Sequence, residues 1–267
     1  EAALLCTSGT QSNLAALLAH CGRGDEYIVG QEAHTYKYEG GGAAVLGGIQ
    51  PQPLEFEDDA TLDLDKVRLK LKPRDDHFAR TRLLCLENTT WGKILPPGYA
   101  DRARELADRN GLAMHLDGAR IFNASVASAD DPATLAAPYD SISVCLSKGL
   151  GAPVGSLLVG GTGFIAQANR WRKMLGGGMR QSGILAAAGI HALQTPVDRL
   201  VEDHTHARRL GEALAEIDDL EVEPVQTNMV LLSVARGRTA ELIEFLKTKG
   251  IQAGGYSGNL RLVTHLD

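Results

Sequence analysis

A chain of 267 residues with 44% hydrophobic side chains has room for one large domain, or a large and a small one, around a sizeable core. Its formal net charge of −6 leaves no basic footprint for nucleic acid or for an anionic membrane surface. No apolar run reaches membrane-spanning length, and four cysteines (Cys6, Cys21, Cys85 and Cys145), none in a CxxC pair, point to a reducing, cytoplasmic setting.

Residues 2–6 read as a buried strand already under way. A helical pattern follows over 11–20, then a strand over 27–30. A helix over 64–71 precedes a charged loop, Arg74-Asp75-Asp76-His77, and a strand over 82–86. Next come a helix over 99–109, strands over 112–116, 141–145 and 156–159, and a helix over 164–174. The strands are short, continuous apolar runs bounded by turn residues, as strands buried on both faces are. Their alternation with helices predicts an α/β domain, a mostly parallel sheet between helices. Arg170, Arg172, Lys173 and Arg180 cluster at its end and read, by composition, as a solvated helix face.

The rhythm changes near Pro196. A long amphipathic helix over 197–215, a strand over 229–234, a helix over 241–249 and a last strand over 260–266 make an α+β pattern. The expected organisation is a large domain over 1–195 and a smaller C-terminal α+β domain over 196–267. The abrupt strands at both ends suggest that further segments belong before and after them.

Three segments carry chemistry. Ser8-Gly9-Thr10-Gln11-Ser12-Asn13 follows a strand and opens a helix. Free amides and small hydroxyls at a helix N-terminus suit a phosphate, or Ser8 or Thr10 is a plain N-cap. The segment is neither GxGxxG nor a P-loop, which disfavours a nucleotide. Asp117 stands at the carboxyl end of the strand over 112–116, where open α/β sheets bind ligands. It either caps the helix expected from Gly118 or pairs with a protonated pyridine nitrogen. Arg120, one turn on, is placed to hold an anion. Lys148, in Cys145-Leu146-Ser147-Lys148-Gly149-Leu150-Gly151, is either an exposed loop lysine or a partly buried one, whose neutral amine forms Schiff bases. A phosphate turn, a strand-end Asp and a strand-end Lys on one sheet are together what a pyridoxal 5'-phosphate (PLP) site requires. Of the eight histidines, His34 follows a strand end and has a flat ring to stack. His77 lies in the charged loop and His115 reads as a packed core residue. His20, His191, His204 and His206 fall on helices, as surface or interface groups, and His265 lies in the last strand.

At these residues the chain resembles the L-threonine and L-allo-threonine aldolases of PLP fold type I, which are aspartate-aminotransferase-like. The resemblance runs along essentially the whole chain. It is carried by Ser8-Gly9-Thr10, Ala33-His34-Thr35-Tyr36, Cys85-Leu86-Glu87-Asn88-Thr89, His115-Leu116-Asp117-Gly118-Ala119-Arg120, the Lys148 segment, Gly176-Gly177-Gly178-Met179-Arg180-Gln181 and Arg261-Leu262-Val263-Thr264-His265. It implies that Lys148 holds PLP covalently, that Ser8, Gly9 and Thr10 bind its phosphate, that His34 stacks on its ring and that Asp117 pairs with the ring nitrogen. It further implies Arg120 near the ring oxygen and substrate, and Arg261 as the clamp on the substrate carboxylate. Lys173 and Arg180 match positions that reach a neighbouring subunit's site, which replaces the solvated-face reading and implies a homo-oligomer, a dimer of dimers. The family's N-terminal Arg-Ser-Asp-Thr-Val-Thr arm and its closing helix fall outside residues 1–267, and Thr90, followed by Trp91, stands where the family usually has His.

The activity so implied is retro-aldol cleavage of the Cα–Cβ bond of threonine or allo-threonine to glycine and acetaldehyde. It needs that bond held perpendicular to the ring and a base for the β-hydroxyl proton. His34, His77 or a water they position are the candidates. The alternatives are another fold-type I enzyme acting on amino acids (a serine hydroxymethyltransferase, a β-eliminating lyase or an aminotransferase) or an inactive binding protein on this fold. A nicotinamide oxidoreductase stands third, since the glycine fingerprint is lacking.

Overall fold

The computed structural model describes residues 1–267 except Pro196, Ser257 and Asp267. The apolar runs of the first part become seven strands: β1 (Ala2–Cys6), β2 (Asp25–Gly30), β3 (Gln50–Leu54), β4 (Arg80–Glu87), β5 (Ala113–Asp117), β6 (Ser141–Cys145) and β7 (Ser156–Gly160). They form one sheet in the order β1-β7-β6-β5-β4-β2-β3. β2 pairs in parallel with β3 and β4, and β5 with β4 and β6, while β7 runs antiparallel to β6 and β1. Six strands therefore point one way and β7 alone opposes them. The carboxyl ends of β1, β2, β4, β5 and β6 share one edge, where such sheets bind ligands.

The helices of this part are α1 (Gly9–His20), α2 (His34–Lys37), α3 (Gly42–Gly47), α4 (Leu64–Lys70), α5 (Tyr99–Asn110), α6 (Ile121–Ser128), α7 (Pro132–Ala136), α8 (Thr162–Met174) and α9 (Gly183–Gln194). They cover both faces, and the strand period of two decides which residue meets which layer. In β4, Leu84 and Leu86 pack with Val67 of α4 and Ala103 and Ala107 of α5. Their neighbours Leu83 and Cys85 pack with Leu14, Leu17 and Leu18 of α1 on the other face. Leu83 and Leu84 are fully buried, which is worth about 1.5–3 kcal/mol for each such side chain.

The rest of the chain forms α10 (Leu200–Ala215), α11 (Thr239–Thr248) and an antiparallel sheet of β8 (Leu220–Val222), β9 (Met229–Val234), β10 (Gly254–Tyr256) and β11 (Asn259–Val263), in the order β10-β11-β9-β8. Ala207, Val230, Leu232 and Leu260 are its buried centre. It meets the first part where Thr227 Oγ1 donates to the Gly92 carbonyl (2.8 Å). A Cβ at residue 92 would stand 2.8 Å from Met229 Cβ, and φ there is +82°, so only glycine fits. The domain division expected at residue 196 falls on Pro196, outside the described residues. Among the described residues no helix is long and apolar enough to cross a membrane.

Several elements depart from the sequence reading. β3 was not expected, because Pro51 and Pro53 argue against a strand. It is an edge strand, paired with β2 alone, where the missing N–H groups cost no ladder bond. The last strand ends at Val263, three residues short of the expected end at 266. The helix after Asp117 begins at Ile121, three residues later than expected.

Candidate active site

Asp117 ends β5 with Glu87 of β4 beside it in register. It is buried, and its two carboxylate oxygens are held separately: Oδ2 accepts from Asn13 Nδ2 (2.8 Å) and Oδ1 from the Ala119 N–H (3.1 Å). Lys148 lies three residues past β6, in a turn closed by the Gly151 N–H on its carbonyl (2.9 Å). Gly149 lets that turn press on the small part, since a Cβ there would meet Leu200 Cδ2 at 2.9 Å. Of the two readings left open for Lys148, the exposed one holds and not the partly buried one. Its turn projects between two cavities, so protein covers it on neither side.

The first cavity, about 330 Å³, is lined by His34, Glu87, Asp117, Arg120, Lys148 and Arg261, with Thr89, Trp91 and Met229 along its side. The second, about 470 Å³, shares Arg120 and Lys148 and adds Ser147, Asn228 and His265. A wider groove of about 1000 Å³ adjoins the first past Glu32 and Trp91. It is larger, but carboxylates such as Glu55, Glu57, Asp58 and Glu223 line it and repel an anionic ligand. The chemistry belongs to the smaller space. Arg261 enters from β11, so both sheets build that space.

Its electrostatics are divided. Burial, then the nearby Arg261, lowers Arg120 to about 10, so it stays charged at neutral pH, and its buried Nε has no partner among the described residues. Two neighbouring guanidiniums call for an anion. On the other side, the Glu39 hydrogen bond raises His34 above its ordinary value against an opposing burial effect, with Asp117 adding to the rise. Burial, then Asp117, pushes Glu87 up to about 8, although its Oε2 accepts the His34 N–H (2.9 Å).

That shift makes a testable statement. Folded Glu87 keeps a proton that the unfolded chain releases near pH 4.3. Its stabilising contribution is therefore full below about pH 4 and lost as pH rises towards about 8. Thermal melts of Glu87→Gln are expected to depend less on pH across that window than those of the parent. Equal slopes would mean that Glu87 is already ionised at neutral pH.

The residues fit PLP. Lys148 offers an amine in the cavity wall, Asp117 a fixed carboxylate, and His34 a flat ring. Ser8, Gly9 and Thr10 do not line the cavity; they form the entry of α1, one turn before the Asn13 that touches Asp117. Ser8 caps that helix, accepting the Gln11 N–H (3.2 Å), and the Gly9 and Thr10 amides have no acceptor within the helix. Ser156 Oγ, 3.7 Å from where a Gly9 Cβ would stand, is buried with no partner among the described residues. The Ser8 cap leaves the Gly9 and Thr10 amides free, so capping and anion binding do not compete in this turn.

Other expectations are corrected. His77 has an 86% exposed side chain paired with Asp75 and does not reach the cavity, because its loop lies before β4, at the strand's amino end. Lys173 and Arg180, expected to serve a neighbouring subunit, are a different case: they are exposed and line none of these cavities of their own chain, with α8 beside β1 and β7. Arg172, from the same cluster, holds the Leu5 carbonyl (2.7 Å). His20 is no surface group: its ring stacks on Phe164 (4.5 Å), and burial lowers it to about 4. His204 is buried against Asn123 (3.1 Å). His115 is a core residue, as expected. Thr90 is buried and donates to the Glu87 carbonyl (3.2 Å), so Trp91, with φ +52°, faces the cavity in its stead. Three site residues had no role in the sequence reading: Asn13, Glu39 and Glu87. Their strand-end and helix-face spacing is a weak signal, and their burial is set by contacts 26 to 104 residues apart.

Known proteins align with this arrangement. A family model described as beta-eliminating lyase matches residues 1–236. The low-specificity L-threonine aldolase of Escherichia coli is 55% identical over 267 residues, covering 100% of this chain and 80% of that protein. Low-specificity L-threonine aldolase 1 of Arabidopsis thaliana is 43% identical, covering 99% and 77%. Among solved structures, a threonine aldolase of Leishmania major has a TM-score of 0.82 at 20% identity, covering 99% and 79%. A putative L-allo-threonine aldolase of Listeria monocytogenes has 0.81 at 20%, covering 98% and 76%; both show the same fold. With a family model over most of its length and a relative of this identity over all of it, the chain belongs to the L-threonine aldolases, PLP-dependent lyases of fold type I within the beta-eliminating lyase family.

Proposed function

We propose that this protein cleaves L-threonine and L-allo-threonine to glycine and acetaldehyde, with Lys148 as the residue that holds PLP. One observation carries the reading: an amine, a fixed carboxylate and two guanidiniums face one cavity of about 330 Å³. Bound PLP supplies an electron sink for the pair released when the Cα–Cβ bond breaks.

The chain's own residues do the rest. Asp117, pinned by Asn13 and Ala119, would pair with the ring nitrogen as a fixed negative charge. Gly9 and Thr10 offer amides to the phosphate, and Ser8 holds the turn. Arg261 and Arg120 take the substrate carboxylate and thereby set which Cα bond stands across the ring. His34, its Nδ1 engaged by Glu39, presents Nε2 to the β-hydroxyl proton, directly or through a water.

The protein works as a homo-oligomer, a dimer of dimers, in the cytoplasm. Exposed Lys173 and Arg180 that serve no cavity of their own chain support the first statement, and four buried free thiols the second. The C-terminal unit closes the carboxylate end of the site through Arg261.

The test is direct. Protein supplied with PLP and either amino acid is expected to release acetaldehyde, and Arg261→Ala to raise KM roughly ten-fold or more, as loss of a charged hydrogen bond does. Amino transfer to a 2-oxo acid without acetaldehyde would instead establish the aminotransferase alternative.

A further inference from the structure

Behind the cavity runs a buried chain of polar groups, of which the proposed mechanism uses only the cavity end. His20 Nε2 meets Ser141 Oγ (2.7 Å), and Ser141 Oγ meets His115 Nδ1 (2.8 Å). His115 Nε2 meets Asn13 Oδ1 (3.1 Å), while Asn13 Nδ2 donates to Asp117 Oδ2 (2.8 Å) and to Glu39 Oε1 (2.9 Å). Glu39 Oε1 also takes His34 Nδ1 (2.9 Å).

The donors and acceptors settle the direction of the chain. Burial lowers His115 to about 3, so it is neutral with one N–H. The Asn13 amide group must face the two carboxylates, because its oxygen there would oppose two anions. Asn13 Oδ1 therefore accepts from His115 Nε2–H, and His115 Nδ1 accepts from the Ser141 hydroxyl. One amide then serves Asp117 and Glu39 at once, and neither position can shift alone.

We propose that Glu39 is a positioning residue of this site: it anchors the His34 ring through Nδ1 and, through Asn13, locks that ring to Asp117. This deepens the reading that the cavity seats PLP and cleaves a β-hydroxy amino acid. The Glu39 side chain is 4% exposed and that of His34 43%, so a buried carboxylate holds a ring that reaches into the cavity. A carboxylate on Nδ1–H fixes the tautomer with Nε2 unprotonated and stabilises the cation formed when Nε2 takes a proton. The backbone end of His34 is held separately, by Glu87. The charged or titratable groups around the ring are Glu39 and Tyr38 beside α2, Glu32 before it, Glu87 from β4, Asp117 from β5 and Lys148 after β6. Glu39 and Asp117 raise its proton affinity; burial and Lys148 lower it.

The test is a histidine NMR titration of the holoenzyme, repeated after PLP removal, with His34 assigned by its loss in His34→Gln. In Glu39→Gln the His34 midpoint is expected to move to lower pH, with or without PLP. The acid limb of kcat/KM should move the same way, and kcat should fall roughly ten- to hundred-fold, more than KM changes, as for loss of an orienting partner. Glu39→Asp, charged but shorter, should restore part of the midpoint and less of the rate. An unmoved His34 midpoint in Glu39→Gln overturns the proposal. If Glu39→Gln does not fold, the parent decides: His34 titrating at or below an ordinary histidine overturns it, and titrating above, with partial retention in Glu39→Asp, upholds it. A moved midpoint in a protein that releases no acetaldehyde would sink the proposed reaction and leave this coupling standing.

Discussion

Lys148→Ala is expected to lose the visible absorbance of covalently held PLP together with turnover, by about a thousand-fold or more. Lys148 is the one amine among the described residues that line the cavity. Another lysine, Lys93, faces the neighbouring groove and is paired with Glu223 (2.7 Å), so it cannot stand in. The side chain is exposed, which makes the variant clean: truncating it should change stability by no more than about 0.5 kcal/mol. An unchanged melt with a colourless, inactive protein is the expected pair of results. A Lys148→Ala protein that stays yellow and active would remove this residue from the chemistry.

Asp117 is expected to have the next largest effect. Asp117→Asn keeps the shape and the Ala119 contact but removes the charge proposed to pair with the ring nitrogen. A rate loss of roughly 10²- to 10³-fold is expected, the usual consequence of deleting one preorganised electrostatic partner. Asp117→Ala is less discriminating, because it leaves the Ala119 N–H as well as the Asn13 amide short of an acceptor, at about 1–3 kcal/mol for each buried group, whereas Asp117→Asn costs only the Asn13 contact. A second readout separates charge from shape. Asp117 is a cause of the raised Glu87 value, second after burial, so in Asp117→Asn Glu87 should titrate at lower pH. Full turnover in that variant would mean that the carboxylate at 117 does not steer the electrons.

Much of this arrangement was readable before any coordinates. The strands at 2–6 and 141–145 stand where the apolar runs put them, and the helix at 99–109 is one residue short, because continuous or periodic apolar runs are local signals. Asp117 and Lys148 were legible for a topological reason: residues just past parallel strands share one edge of the sheet. Arg261 was reached only through resemblance, since nothing in its own strand's spacing marks it. β3 was missed because proline speaks against strands, and an edge position is a property of the whole sheet. His77 was misplaced because residue type says nothing about which end of a strand its loop occupies.

The amino-acid order by itself determined the alternation of helix and strand and the strand-end placement of Asp117 and Lys148, because periodicity and chain direction act over a few residues. The tertiary structure decided which carboxylates serve them. Glu39, Glu87 and Asn13 acquire their roles from hydrogen bonds that span the sheet and α1, and their charge states from burial among one another. Desolvation and hydrogen bonding are properties of neighbours in space, and those neighbours exist only once the strands have paired.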